Sequence, residues 1–409
     1  MAACRLCAAT LERLVVDLGT SPLCESYVAA EHLNRMEPFY PLRALVCDRC
    51  WLVQVEEYVS PGEIFGEYAY FSSYSESWLA HAHDYVAAIV PRLELGASSF
   101  VVELGSNDGY LLQHVVARGV PALGIEPARN VAAAALARGV PTRVALFGRA
   151  EAASIVAERG RADLIVGNNV LAQVSDLNDF VGGIALLLAP DGVLTLEFPH
   201  LARLLAEVQF DTIYHEHFSY FALATAARTL AAHGLRVFDV EELPTHGGSL
   251  RVFACHEGSA RHPEDARVAR LRAAEIDAGL ERPETYAAFG ERVAEVKYGL
   301  LEFLIRCRRA GHRVGGYGAP GKGNTLLNYC GIRTDLLEYT VDRNPYKQGK
   351  FLPGTRIPIH APERIAATRP DYLLILPWNL RDEITRQMAE IRAWGGRFVT
   401  AIPAVEVHA

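Results

Sequence analysis

The sequence predicts an α/β protein: a small cysteine-bearing N-terminal domain followed by two larger domains built on parallel sheets. Three observations predict it. Five of the eight cysteines fall within the first 60 residues. From Phe100 onward, strand-like and helix-like segments alternate. After a charged, Ala-rich helical stretch at about 266–310, the alternation restarts at Arg313. Such alternation is the mark of doubly wound sheets. The expected boundaries are 1–66, 67–255 and 256–409.

Bulk properties narrow the function classes. Of 409 residues, 50% are hydrophobic and 22% charged, enough to bury large cores. The net charge is −8 with no long Lys/Arg run, which argues against nucleic acid or an anionic membrane as partner. The longest apolar stretches, such as Val193–Phe198 and Tyr372–Pro377, have strand length. The first residues, MAACRLCAAT, lack a signal-peptide pattern, and eight cysteines are too few for a disulfide scaffold. A soluble cytoplasmic protein is expected, its oligomeric state open and a monomer plausible.

The elements follow in order. Cys4-x-x-Cys7 and Cys47-x-x-Cys50 form two knuckles, and four thiolates suit a structural, tetrahedral Zn²⁺. Cys24 has no knuckle setting, and Cys255, Cys307 and Cys330 read as core fillers. Ser77–Leu93 is a helix with Trp78, Ala82, Tyr85, Val86 and Ile89 on one face. Phe100–Leu104 is a buried strand, and "VELGSNDGYLL" then turns into a helix. This loop carries Glu103, Gly105, Asn107, Asp108 and Gly109. It lacks the G-x-G-x-x-G of dinucleotide folds, and its acids would repel a pyrophosphate. A cationic or zwitterionic ligand suits it better. Ala122–Ile125 ends at Glu126, 21 residues after Gly105, where a carboxylate can hold ribose hydroxyls. Ribose plus a cationic amino-acid tail describes S-adenosylmethionine (SAM). Asn168 and Asn169 follow the strand at 164–166 and can close over its methionine end.

"DTIYHEHFSYF" packs Tyr214, His215, Glu216, His217 and Tyr220 into seven residues. A histidine held by a carboxylate is a suitable base near neutral pH. On a strand, His215 and His217 would share a face; on a helix they would not. Tyr68, Tyr70, Tyr74 and His246 are further polar candidates. In the last third, "GGYGAPGKGNTLLN" nearly matches a P-loop, but Gly323 stands where Ser or Thr would hold Mg²⁺. Its backbone N–H groups and Lys322 can still cradle a diphosphate. Asp342, 24 residues after Gly318, repeats the plan of strand, glycine turn, helix, strand and acid.

On these motifs, together with "EYAYFSSYSESW", "GIEP", "NNVLA", "EFPHL", "HGGSLRVF" and "VDRNPYKQG", the chain resembles the SAM-dependent C-methyltransferases of nucleotide-linked 4-keto deoxysugars. These enzymes build the branched sugars of antibiotics. The resemblance implies a zinc-binding N-terminal module, a Rossmann-like SAM domain and a C-terminal Rossmann-like α/β domain. It implies a dTDP-linked 4-keto deoxysugar as substrate, methylated beside the ketone, most commonly at C-3, with C-5 the alternative. His217 is then the base, with Tyr214 and Glu216 completing the constellation. Tyr68 and Tyr74, His246, Lys322 and Asn324 would contact substrate. One position departs: Gln173 stands where a histidine is expected after "NNVLA", and glutamine cannot transfer a proton near pH 7. A nicotinamide-dependent nucleotide-sugar oxidoreductase is the competing class, and it lacks its fingerprint.

Overall fold

A computed structural model describes residues 2–66 and 68–408. Glu67, where the second expected segment begins, lies outside the described residues. Packing divides the chain into two compact units, each assembled from separate stretches. Met1–Glu12, Cys47–Ala202 and Phe218–Glu281 form the first; Arg13–Val46, Arg203–His217 and Arg282–Ala409 form the second.

The core of the first unit is a seven-stranded sheet. Its strands are β1 (Val101–Leu104), β2 (Ala122–Ile125), β3 (Thr142–Arg143), β4 (Ala162–Asn168), β5 (Leu188–Pro199), β6 (Leu235–Leu243) and β7 (Ser249–His256). They lie in the order β6-β7-β5-β4-β1-β2-β3. The five from β5 to β3 are parallel, and β7 runs antiparallel to both its neighbours. β1 and β2 are buried at every position, as befits parallel strands covered on both faces. The chain leaves β1 toward β2 on one side and later returns as β4 on the other. The loops after β1 and β4 therefore flank the switch point where such sheets bind ligands.

Helix α1 (Glu76–Arg92) covers this sheet. Ser75 caps it by accepting the Trp78 N–H at 3.3 Å, and Trp78, Ala82, Tyr85, Val86 and Ile89 form its buried face. Each large apolar side chain so buried contributes about 1.5–3 kcal/mol before entropy is counted.

The second unit repeats the plan. Its sheet has the order β10-β9-β8-β11-β12-β13, from β8 (Val314–Tyr317), β9 (Thr340–Val341), β10 (Ile359–His360), β11 (Tyr372–Ile375), β12 (Arg397–Thr400) and β13 (Glu406–His408). Only β13 is antiparallel. Helix α2 (Phe289–Ala310) buries Val293, Val296, Leu300, Phe303, Leu304 and Cys307. Helix α3 (Gly321–Cys330) follows the glycine loop after β8. Gly318 there has φ +90°, and a Cβ on it would stand 2.5 Å from Pro377 Cδ, so only glycine lets the two switch-point loops meet. An antiparallel pair, Arg13–Ser21 with Tyr40–Val46, also belongs to this unit.

Candidate active site

In the first unit the two cysteine knuckles converge. The four Sγ atoms of Cys4, Cys7, Cys47 and Cys50 all lie within 4.8 Å of one another. Cys4 stands 3.5 Å from Cys50, and Cys7 3.5 Å from Cys47. Tetrahedral Zn²⁺ with bonds of about 2.3 Å sets its sulfurs roughly 3.8 Å apart, so the donor set fits that ion. Each knuckle closes the same way. Ala8 N–H donates to Cys4 O and Trp51 N–H to Cys47 O, both at 2.9 Å, with Ala8 and Trp51 at φ 57° and 62°. Three of the cysteines are buried and no fifth ligand group joins the four among the described residues, the form of a structural site.

At the C-terminal edge of β1, Glu103 is fully buried, with the Tyr110 side chain and the Leu112 main chain as hydrogen-bonding neighbours. Burial pushes its carboxyl well above the usual range, and the Glu126 and Asp108 charges push it further. Asn168, which ends β4, and Asn169, which follows it, each hold a buried Oδ1 with no donor among the described residues. Buried acceptors at the ends of neighbouring strands form a site suited to a ligand rich in N–H donors. Gly105 has φ +65°, and a Cβ there would press on Val170 Cγ2 at 3.2 Å.

The other loop residues bind the protein itself. Asn107 N–H donates to Glu126 Oε2 at 2.9 Å. The Asn107 side chain accepts from Ser72 N–H at 2.8 Å and donates to Tyr70 O at 3.2 Å. Asp108 pairs with Arg138 at 2.9 Å. These two residues thus fasten the tyrosine segment, with Tyr68, Tyr70 and Tyr74, to the glycine loop. Tyr68 is held through its backbone by Asn130, and Tyr74 is 45% exposed. Glu126 also accepts from Ala128 N–H at 2.8 Å, so each of its oxygens spends one lone pair on a backbone N–H and keeps a second. His246 Nε2 stands 3.0 Å from Asn169 Nδ2, which donates to it. Gln173 ends a short 3-10 turn, Leu171–Gln173, after β4.

In the second unit the Tyr-His-Glu-His run is a turn, so the strand and helix alternatives both give way. His217 N–H donates to Tyr214 O at 2.9 Å, closing it. The Tyr214 hydroxyl and His217 Nε2 are 2.9 Å apart, with ring centroids at 4.1 Å. His217 Nδ1 stands 3.0 Å from the Thr212 carbonyl, which can only accept. The proton therefore sits on Nδ1, and Nε2 accepts from Tyr214. A backbone carbonyl, not Glu216, orients the ring at Nδ1. Glu216 is buried and accepts from the Cys24 thiol at 3.2 Å. His215 points elsewhere, to Pro41 O at 3.1 Å, and burial lowers its pKa.

Helix α3 begins beside this turn. A Cβ on Gly321 would lie 2.8 Å from Cys24 Sγ and 3.7 Å from Tyr214 Cζ, and the Thr325 hydroxyl donates to Ile213 O at 3.1 Å. Lys322 lies over the Trp378 ring at 4.8 Å and donates to Asn379 at 2.9 Å. Asn324 is buried, its Nδ2 without an acceptor among the described residues. Asp342 accepts from Ala319 N–H at 2.7 Å, as Glu126 accepts from Asn107 in the first unit. In both units the acid on the second strand fastens the glycine loop.

Three family models match the chain in succession: a zinc binding domain over 4–65, a methyltransferase domain over 78–240 and a C-methyltransferase C-terminal domain over 244–403. C-methyltransferase NovU of Streptomyces niveus is 39% identical over 404 residues, covering 99% of this chain and 96% of that protein. The chain belongs to the C-methyltransferase family. This C-methyltransferase is SAM-dependent and carries a four-cysteine zinc-binding domain. Among solved structures, magnesium protoporphyrin IX methyltransferase of Synechocystis PCC 6803 with bound SAM is 14% identical, covering 44% of this chain and 82% of its own at a TM-score of 0.33. The CcbJ methyltransferase of Streptomyces caelestis is 13% identical, covering 43% and 89% at 0.33. Scores that low add nothing to the family match. No helix among the described residues is long and apolar enough to cross a membrane.

In this C-methyltransferase the four cysteines and the expected SAM residues lie in the first unit and the Tyr-His-Glu-His run in the second, while the expected substrate residues divide, with Tyr68, Tyr74 and His246 in the first and Lys322 and Asn324 in the second. Glu103, Asn168, Asn169, Glu126 and His246 gather at one sheet edge, while Tyr214, Glu216 and His217 gather at the start of α3. Sequence reasoning missed Thr212, Cys24, Glu197, His81 and Arg251. "EFPHL" contained Glu197, but a carboxylate inside an apolar strand was the only local signal for it.

Proposed function

We propose that this C-methyltransferase methylates the carbon next to the ketone, C-3 in preference to C-5, of a dTDP-linked 4-keto deoxysugar in branched-sugar assembly. The Tyr214–His217 pair carries this reading. A 4-ketone acidifies the neighbouring C–H, so the enzyme needs a neutral base and a hydrogen-bond donor for the developing oxyanion. His217 holds a proton on Nδ1 against the Thr212 carbonyl, which leaves Nε2 as the basic atom, and the one Tyr214 proton, shared with Nε2, either relays the sugar's proton or turns to the developing oxyanion as Nε2 takes that proton. His217 takes the proton, directly or relayed through the Tyr214 hydroxyl, and Tyr214 and Glu216 complete the constellation. Gln173 takes no part in proton transfer.

SAM supplies the electrophilic methyl carbon when bound. Glu103, Asn168 and Asn169 are assigned to its amino-acid end and Glu126 to its ribose, on the loop formed by Gly105, Asn107 and Asp108. Tyr68, Tyr74, His246, Lys322 and Asn324 are assigned to the nucleotide sugar. The uncapped first turn of α3 with Lys322 supports diphosphate binding. By motif, 1–66 is the metal-binding, 67–255 the SAM-binding and 256–409 the nucleotide-sugar segment. No dinucleotide fingerprint favours the oxidoreductase reading.

His217→Asn tests the base. We expect kcat to fall roughly 10²–10⁴-fold, the usual worth of a general base, with SAM affinity unchanged. Tyr214→Phe falls as far if it relays the proton and less if it only stabilises charge. A His217→Asn enzyme that still exchanges the α-proton with deuterated water at the wild-type rate would place the base elsewhere.

A further inference from the structure

The first unit holds a buried ionic cluster that the chemistry above leaves unused. Glu197, near the end of β5, is 0% exposed. Its Oε2 accepts from Arg251 at 2.7 Å and stands 2.8 Å from His81 Nε2, while Oε1 accepts from the Thr245 hydroxyl at 2.9 Å. Arg251 also pairs with Glu241 at 3.1 Å and lies over the Tyr85 ring at 4.5 Å. Burial alone would raise the Glu197 carboxyl, but His81, Arg251 and Thr245 hold it below its ordinary range. A carboxylate so fully matched has one position, and removing a partner is costly.

Two strained residues lie against this cluster. Asn169 and His246 both adopt left-handed backbone, φ 56° and 55°, and their side chains meet at 3.0 Å. Non-glycine residues keep such conformations only where their surroundings impose them, and such strain gathers at ligand sites. Glu197 bonds to both segments. Its main-chain oxygen accepts the Asn169 N–H at 2.7 Å. Its carboxylate, through Thr245, holds the Thr245–Gly247 turn that carries His246. Trp78 fills the space between, stacked on His81 at 5.0 Å and edge-on to His246 at 5.0 Å.

We propose that Glu197 is a positioning residue which, through Thr245 and its own carbonyl, sets Asn169 and His246 at the cofactor end of the sheet. This rests on the reading of Asn169 as a SAM ligand.

The test is calorimetric binding of S-adenosylhomocysteine to the zinc-loaded full chain. Wild type is compared with Thr245→Val, Thr245→Ser, Asn169→Ala and the Val/Ala double variant. Thr245→Val should weaken binding about 10-fold, near the value of one hydrogen bond to a charged group, and Thr245→Ser should restore it to within about twofold. In the Asn169→Ala background the Val substitution should add less than about twofold, because the two act through one contact. Additive effects, or Thr245→Val binding like wild type while Asn169→Ala binds weakly, would overturn the proposal and leave Asn169 as a ligand. Asn169→Ala binding like wild type would remove the underlying reading and the proposal with it. If Thr245→Val loses its cooperative melt, Thr245→Ala takes its place in the same cycle.

Discussion

Glu103→Gln keeps the shape of a buried side chain and removes its charge. In the free protein burial favours the protonated form of this carboxyl, against the pull of hydrogen bonds from Tyr110 and the Leu112 main chain. A SAM ammonium placed against it favours the carboxylate instead, so binding should release a proton and weaken as pH falls. The variant loses one charge-assisted hydrogen bond, about 1.5–3 kcal/mol, or roughly 10- to 150-fold in Kd at 1.36 kcal/mol per decade. Stability should move the other way. A carboxyl whose folded pKa lies above its unfolded value near 4.5 makes stability fall as pH rises from there through the folded value. Glutamine has no such slope, so the ligand-free variant should melt above wild type at neutral pH. Titration calorimetry with SAM in two buffers of different ionisation heat measures affinity and proton release together. Unchanged affinity with unchanged proton release would refute Glu103 as the ammonium ligand.

Three further outcomes follow from the same geometry. Cys47→Ser leaves three thiolates and should release zinc and lower the melting temperature; elemental analysis finding no zinc in the wild-type protein would contradict it. Glu126→Ala should weaken SAM binding by about 1.5–3 kcal/mol, and an unchanged Kd would exclude Glu126 as the ribose ligand. Burial raises Asp211 from 3.8 to about 6, against the pull of Lys322 and of the Trp378 N–H at 2.7 Å. The folded state then binds its proton more tightly, so stability falls by about 3 kcal/mol as pH rises across that window. Asp211→Asn should flatten the slope in urea melts at about pH 4 and pH 7, and a slope equal to wild type would contradict this.

Local pattern made much of the fold legible. The buried face of α1 was written in the spacing of Trp78, Ala82, Tyr85, Val86 and Ile89, and β2 in the apolar run Ala122–Ile125. The zinc knuckles needed only their spacing, because each brings its own backbone turn. The interleaving of the units was not legible. Arg13–Val46 and Arg203–His217 pack with the C-terminal third through contacts between segments far apart in sequence, which no window of residues records. The same distance hid the site's supports. Glu197 meets His81, Thr245 and Arg251 from 48 to 116 residues away. The group that orients His217 is a carbonyl, which carries no sequence signature at all. The protein's own partners of Asp108 and Asp342, Arg138 and the Ala319 N–H, were likewise invisible in their local spacing.

The central claim is transfer of a methyl group to a carbon beside a sugar ketone. The direct measurement is NMR and mass spectrometry of the product formed from ¹³C-methyl-labelled SAM and a panel of dTDP-4-keto deoxysugars. The expected product is one methyl group heavier, and its labelled carbon couples to C-3 of the sugar. A labelled methyl bound to oxygen or nitrogen, or no product from any 4-keto sugar in the panel, would contradict it.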